Sequence, residues 1–446
     1  MNGELPKGWV WTSLENCVDI LDSQRKPINS EERQERILNK NESDLYPYYG
    51  ATGQVGWIDG YIFDEELILL GEDGAPFLDF TKDKSYLIKG KTWVNNHAHV
   101  LRAIKDISFN SYICHYLNSF DYRNYITGTT RYKLNQSQMR KIMIPLPPLA
   151  EQQRIVNKIE ELFTNLDKGI ESLEQVKYKL KIYRQAILKY AMEGKLTEKW
   201  RENNKTFFEE SNSFDNKEVI AFEIPSSWRL VELKDVSIII LGQSPPSSTY
   251  NEKRIGLPFY QGKSEFGLIY PTPVKWCAFP KKIAEKGDVL ISVRAPVGPT
   301  NICPEKSCIG RGLAAIRGLG NIDNKFIFYL LRNIEKDISS QATGTTFEAI
   351  RGDVLKKLII PLPPLEEQQE IVNRIEKLFS LADHIEETVS SKLEQSKTLR
   401  QSILKKAFEG QLVPQDPNDE PAEILLEKIK MEKLNKGKAI QEKLVQ

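Results

Sequence analysis

The chain repeats itself, and that duplication constrains its fold more than any other feature. Residues 142–149 read IMIPLPPL and residues 358–365 read LIIPLPPL, an offset of 216 residues. The match runs on without a gap, with AEQQRIVNKIEELF at 150–163 facing EEQQEIVNRIEKLF at 366–379, and RQAILKYAMEGKL at 184–196 facing RQSILKKAFEGQL at 400–412. TGTT at 127–130 returns at 343–346, and LPKGW at 5–9 returns as IPSSW at 224–228, now at offset 219. The ends of the two halves match while their middles differ. A chain built this way folds as two similar units, each followed by the same element.

That element is a long helix. Apolar residues recur at alternating spacings of three and four through Ile155, Ile159, Leu162, Leu166, Leu173, Val176, Leu180, Tyr183, Ile187 and Tyr190, with Gly169 interrupting the seam. This is a heptad pattern, and it predicts a coiled-coil face. Pro147 and Pro148 precede the helix, where a missing N–H does little harm, and Gly194 follows as a stop signal. The second copy has the same frame, with a seam through Ile371, Ile375, Leu378, Ala382, Ile385, Val389, Leu399 and Ile403 and a stop at Gly410. Two such helices are natural partners for each other.

The segments ahead of the helices alternate short apolar runs with Gly, Asp and Pro. Residues 55–104 and 255–317 therefore read as mostly β, each followed by one helix, near 109–121 and near 324–338. Residues 195–223 are polar and read as a linker, and a final helix is expected over 421–443. The fold class is α+β with a pseudo-twofold internal repeat.

Composition excludes several classes of function. The net charge is +1, so the chain is no histone-like polycation. Charge is uneven, however: residues 1–149 hold 17 Lys/Arg against 19 Asp/Glu, and residues 217–365 hold 20 against 14. Five scattered cysteines make no disulfide framework. The N-terminus lacks the basic and apolar regions of a signal peptide, and no apolar run reaches spanning length, so a cytoplasmic protein without membrane contact is expected.

Catalytic chemistry is missing. Gly90-Lys91-Thr92 and Gly262-Lys263-Ser264 resemble the end of a phosphate loop, but Ser85 and Leu257 stand where its first glycine belongs. PLPPL has leucines where a methyltransferase's base-flipping loop needs a polar residue and an aromatic one. His97 and His99 alternate on a strand, a pattern that reads as two solvent-facing polar residues rather than a metal pair. No catalytic residues, no metal and no cofactor are expected.

The duplicated IPLPPL-x-EQQ-x-IV-x-x-IE helix opening, its R-Q-x-I-L-x-x-A-x-x-G-x-L ending, the TGTT turns and the P-x-x-W starts together resemble the specificity subunit of type I restriction–modification systems. The likeness covers nearly the whole chain and weakens across 20–110 and 240–320, the segments that vary with the target. It implies two globular target-recognition domains held apart by two long antiparallel helices, each domain reading half of a bipartite, asymmetric double-stranded DNA site. It also implies docking of two methyltransferase subunits on the helices and recruitment of translocase–nuclease subunits. The corresponding boundaries are 1–149 and 224–365 for recognition domains, 150–194 and 366–412 for spacer helices, 195–223 for the linker and 413–446 for a helical tail. From Ile155 to Tyr190 a helix rises roughly 52 Å, longer than the DNA turn of about 34–36 Å.

Polar and basic loops supply the candidate contacts, because base edges need forked donors and acceptors and phosphates need cations. In the first half these are Lys89, Lys91, Asn95, Asn96, His97, Thr129, Thr130, Arg131 and Lys133; in the second, Lys263, Lys275, Arg294, Arg311, Thr345 and Thr346. A competing reading makes the chain a coiled-coil adaptor that binds protein, and the negative balance of the first half fits it. Exchanging residues 240–320 for the matching segment of a relative tests the modular reading. Sequencing of methylated DNA is expected to show one half-site changed and the other retained.

Overall fold

The computed structural model describes residues 4–204, 224–342 and 349–427. The chain divides into two units, one of Met1–Glu174 with Ser390–Gln446 and one of Gln175–Val389. Each unit therefore owns one globular part and a share of both long helices, Leu149–Met192 and Leu365–Phe408.

In the first unit, Val18–Ile20, Ala98–Ala103, Leu67–Gly71 and Ser85–Ile88 form a four-stranded antiparallel sheet in that order. A second sheet orders Gly53–Ile58, Tyr46–Gly50, Lys91–Val94 and Phe63–Asp64, and its middle pair is parallel. Leu67–Gly71 is buried at every position, so its continuous apolar run is what a strand covered on both faces requires. The helix Asn110–Ser119 packs on this sheet. The second unit repeats the plan. Ser237–Leu241, Leu313–Gly318, Val289–Ser292 and Thr300–Ile302 form one sheet, and Leu257–Tyr260 runs parallel to Ser307–Ile309 in the other. Asn110 Oδ1 accepts from the Ala103 N–H at 2.8 Å, and Asn324 Oδ1 accepts from the Gly318 N–H at 2.7 Å, so the helix Asn324–Asn333 is anchored in the same way.

The repeated motifs are the joints of this plan. IMIPL contributes Met143–Leu146, which pairs antiparallel with Val10–Ser13; LIIPL contributes Ile359–Leu362, which pairs with Arg229–Glu232. Trp9 Nε1 donates to Glu151 Oε2 at 3.1 Å, and Trp228 Nε1 donates to Glu367 Oε2 at 2.9 Å. The following glutamine reaches back: Gln152 Nε2 donates to the carbonyls of Ile107 and Pro147, and Gln368 Nε2 to those of Asn321 and Pro363. All four Glu and Gln side chains are buried. Gly194 ends the first helix at φ +69°, and a Cβ there would lie 2.4 Å from Pro225 Cγ; Gly410 ends the second at φ +72°, 2.2 Å from Pro6 Cγ by the same measure. Glycine is needed at both for its left-handed conformation and for the close approach.

The helix pairing is antiparallel within each unit and equally duplicated. In the first, Ile155, Val156 and Ile159 share a core with Ile403, Leu404, Ala407 and Phe408, and Arg400 pairs with Asp167 over the Phe163 ring. In the second, Ile187, Leu188, Ala191 and Met192 share a core with Ile371, Val372 and Ile375, and Arg184 pairs with Asp383 over the Phe379 ring. The apolar stripe is not buried throughout. Val176, Tyr183, Tyr190, Ile385 and Leu399 stay exposed, because one partner helix covers only one side of the stripe.

Residues 195–204, expected within a linker, are instead docked. Thr197 is fully buried, and the helix Glu198–Asn203 brings Arg201 onto Glu367; residues 205–223 lie outside the described residues. The tail packs at 412–426, with the Ala422 N–H on the Gly8 carbonyl and Arg154 on Asp419 at 2.7 Å. The expected last helix is described only to 427, and its remainder lies outside the described residues.

The two joints differ in one respect. Glu367 is bonded by Trp228, Thr197 and Arg201. Glu151 Oε1 has no partner among the described residues, and burial holds this carboxyl above its ordinary value against the pull of Trp9 and Arg154. Burial of the Glu151 carboxylate is thus a burden on the fold, whereas Glu367 meets donors from three side chains. Glu367→Gln is expected to destabilise by about 3 kcal/mol, since it strands the Arg201 charge, while Glu151→Gln stays within about 1 kcal/mol of the parent. Urea denaturation of both full-length variants at neutral pH makes the comparison.

Candidate nucleic-acid interface

In the second unit, four loops close on an open groove of about 940 Å³. They are tied to one another by backbone hydrogen bonds: Gly310 N–H to the Tyr260 carbonyl, Val293 N–H to that of Gly312, and Gln243 N–H to that of Ile309. Glycine permits this density. A Cβ on Gly312 would fall 2.2 Å from the Gln261 carbonyl oxygen, and one on Gly242 would fall 2.1 Å from that of Gly310. The Gly310-Arg311-Gly312 turn is therefore packed backbone against backbone, and the Arg311 side chain stands clear of it.

Arg311, Arg294 and Lys263 all line this groove, together with Ser244, Tyr250 and Gln261, and among the described residues no carboxylate lines it. The three cations are exposed and form no ion pair among the described residues. Unpaired cations cost little in water and are free to meet an anion. Hydroxyl, amide, guanidinium and ammonium groups around one concavity suit phosphates and base edges together. Lys275 is exposed on the strand Lys275–Cys277 and is not part of the groove. Thr345 and Thr346 lie outside the described residues.

Strand register identifies the matching face in the first unit. The Asn95 N–H donates to the Tyr49 carbonyl as that of Gly310 does to Tyr260, so Asn96 stands where Arg311 stands. Asp73 bridges Lys133 as Arg294 bridges Ala349, so Asp73 stands where Arg294 stands. The same backbone therefore presents different charge. Asp73 Oδ1 lies 2.7 Å from Arg131 Nε, and Glu72 pairs with Arg25 at 2.7 Å and with Lys133 at 3.4 Å. Asn96, His97, Arg131 and Lys133 come together on this face beside the exposed turn of Thr129 and Thr130. Lys89 and Lys91 do not. Lys89 lies between the strands Ser85–Ile88 and Lys91–Val94, and Lys91 begins the strand whose far end leads to Asn95 and lies over the Tyr61 ring.

Two expectations need correction. Asn95 is buried, and its Oδ1 accepts from the His97 N–H, so it shapes the turn and is not available to DNA. His99 is not solvent-facing. It is 1% exposed, with Nδ1 2.7 Å from Asp22 Oδ2 and Nε2 2.8 Å from the Leu134 carbonyl. Asp22, Glu72 and His99 converge closely enough to suggest a metal site. Both imidazole nitrogens face acceptors, however, and Arg25 occupies Glu72, so the cluster is an internal hydrogen-bond network. Sequence patterns do not reveal it, because its members come from four separate loops and strands. The groove residues Ser244, Gln261 and Tyr250 were also missed, although the Ser/Pro-rich GQSPPSST run marks one wall.

Burial raises the Asp22 carboxyl, but hydrogen bonds from His99, Val100 and Gln136 outweigh it and leave it below its ordinary value. A depressed carboxyl stabilises the fold above its unfolded value, and that contribution disappears as pH falls through the folded value. Asp22→Asn is expected to lower the urea midpoint at neutral pH and to flatten its decline in acid. An equal offset at every pH would contradict the assignment.

Comparison with known proteins bears on this interface. The model of the type I restriction modification DNA specificity domain matches residues 6–178 and 225–395. The putative type I restriction enzyme MjaX specificity subunit of Methanocaldococcus jannaschii is 37% identical, over 85% of this chain and 89% of that protein. The EcoKI specificity subunit of Escherichia coli K12 is 29% identical over 98% and 97%. Among solved structures, the HsdS subunit from Thermoanaerobacter tengcongensis aligns with a TM-score of 0.60 at 28% identity, covering 92% of this chain and 99% of that one. A chain from a study of complex assembly and conformational transition of the type I R-M system aligns with a TM-score of 0.67 at 28% identity, covering 92% and 100%.

Proposed function

The chain belongs to the family of type I restriction–modification specificity subunits, and from that premise we propose that each of its two units reads one half of a bipartite, asymmetric DNA site. The protein supplies DNA sequence specificity, carries out no catalysis itself, and acts with DNA and the other subunits of its complex. Family membership decides against the protein-binding adaptor.

The observation that carries the assignment of the interface is the groove of Lys263, Arg294 and Arg311, three cations that, among the described residues, have no ion-pair partner and line a concavity with no carboxylate. In the second half-site these residues take the phosphates and base edges. In the first, Asn96, His97, Thr129, Thr130, Arg131 and Lys133 do so. Residues 1–149 and 224–365 serve as the target-recognition domains and 150–194 and 366–412 as the spacer helices. Two methyltransferase subunits dock on the helices, where Tyr178, Ile182 and Leu381 present exposed apolar surface, and translocase–nuclease subunits complete the restriction enzyme. No helix among the described residues is long and apolar enough to cross a membrane, and the reading places the protein in the cytoplasm with its DNA.

Sequencing the methylated bases of cells with and without this protein tests the reading. Loss of one two-part motif on deletion is expected, and an unchanged methylome would sink it. Arg311→Ala is expected to relax one position of the second half-site, at roughly 1–3 kcal/mol if that position is a guanine. Unchanged preference would make Arg311 an ordinary surface residue.

A further inference from the structure

We propose that Arg131 reads a guanine in the first half-site and that Asp73 is the positioning residue that aims it. The inference rests on the DNA-reading role proposed above. It starts from the repeated TGTT turn, whose purpose the motif alone does not reveal. Gly128 sits at φ +95°, and a Cβ there would be 2.4 Å from the Arg131 carbonyl oxygen. The turn thus folds the chain tightly back onto Arg131. Across from it, Gly74 sits at φ +78°, with its N–H on the Tyr132 carbonyl, and a Cβ there would be 3.3 Å from Arg131 Nε. Two glycines in the left-handed region therefore hold the guanidinium against the 73–74 loop.

The brace is chemically specific. The Asp73 carboxylate lies against the Nε edge at 2.7 Å, while its other oxygen is 3.6 Å from His97 Nδ1. The Arg131 side chain remains 62% exposed, and its guanidinium N–H groups make no hydrogen bond among the described residues, so the contact with Asp73 is an ion pair that leaves the donors open. A guanidinium presents five N–H donors in a planar fork. The ion pair with Asp73 and the two close glycines restrict where the guanidinium can lie, and its two Nη groups offer a paired donor edge of the kind that matches O6 and N7 of guanine. The same carboxylate disfavours the other use of an exposed arginine. It would place a negative charge beside any phosphate that Arg131 approached, so the pair belongs over base edges. The second unit makes the contrast: Arg294 stands where Asp73 stands, and Phe347 is the repeat equivalent of Arg131. Among the described residues Lys263, Arg294 and Arg311 form no ion pair, so the device is assigned to the first half-site.

The test restores a deletion strain with the full-length wild type, Arg131→Ala, Arg131→Lys or Asp73→Asn, and sequences the methylated bases. Arg131→Ala and Arg131→Lys are both expected to relax a single G·C position of the first half, since an ammonium lacks the fork. Asp73→Asn is expected to relax the same position in part. The second half should persist in all three, which also shows that the variants fold. Full-length protein is then titrated with a duplex of the wild-type motif and with one altered at that base pair. Discrimination is expected to fall roughly five- to 150-fold in Arg131→Ala with no change in salt dependence. A uniform loss for both duplexes, with the logarithmic salt slope reduced by about 0.9, would make Arg131 a phosphate contact and overturn the proposal. So would an unaltered motif, or an Asp73→Asn protein that binds both duplexes more tightly. Deletion that removes no motif would instead refute the underlying function, so the two failures are distinguishable.

Discussion

A tryptophan N–H donating to a buried glutamate in the first turn of a long helix ties each globular part to its helix, through Trp9 and Glu151 in one unit and Trp228 and Glu367 in the other. The neighbouring glutamine closes the joint by bonding two carbonyls, one from the loop before the helix and one from the loop that leads into or flanks the domain helix. A helix start is an electropositive end with unsatisfied N–H groups, so a carboxylate there is favoured before any tertiary contact forms. Burial of an indole beside it adds a large apolar contact, and removing it from water is worth several kcal/mol as an upper bound. Domain and helix are thereby held in one orientation, on which the placement of the proposed DNA-contacting loops depends.

Beyond the joint, backbone pattern and side-chain chemistry separate. Both units use the same pairings to build the face proposed to read DNA, with equivalent hydrogen bonds from Asn95 and Gly310 and equivalent bridges at Asp73 and Arg294. What those positions carry differs: Asn96 against Arg311, Asp73 against Arg294. Main-chain hydrogen bonds do not depend on side-chain identity, so the frame survives while its contents vary. A bipartite reader whose halves recognise different sequences needs that arrangement.

The electrostatic consequence is an asymmetry between the faces. Among the described residues the second has three cations without ion-pair partners around a groove without acid, and such a face gains most from phosphates. The first carries Glu72 and Asp73 among its cations, each neutralised by a neighbour. Two of the acids that set the charge balance of residues 1–149 are thus already paired beside the proposed contact loops.

Much of this was legible in the amino-acid sequence. Duplication, the two long helices with their proline starts and glycine stops, and the resemblance to a specificity subunit all follow from short-range patterns. Helix periodicity and turn chemistry act over a few residues, and a repeat at constant offset needs no structure to be seen. The sequence also determined which positions of the second face are basic. Tertiary structure decided the rest. His99 looks like a solvent-facing polar residue on an alternating strand and Asn95 like a loop contact to DNA, yet Asp22, 77 residues away, receives the imidazole in the core, and Asn95 is buried beside the Tyr49 strand. The gathering of Lys263, Arg294 and Arg311 into one groove, the exclusion of Lys275 from it, and the bracing of Arg131 by Asp73 all join residues far apart in the chain. Nothing local encodes such encounters, because the free energy that brings distant loops together lies in the burial of the sheets and joints beneath them, and it exists only once the whole unit has packed.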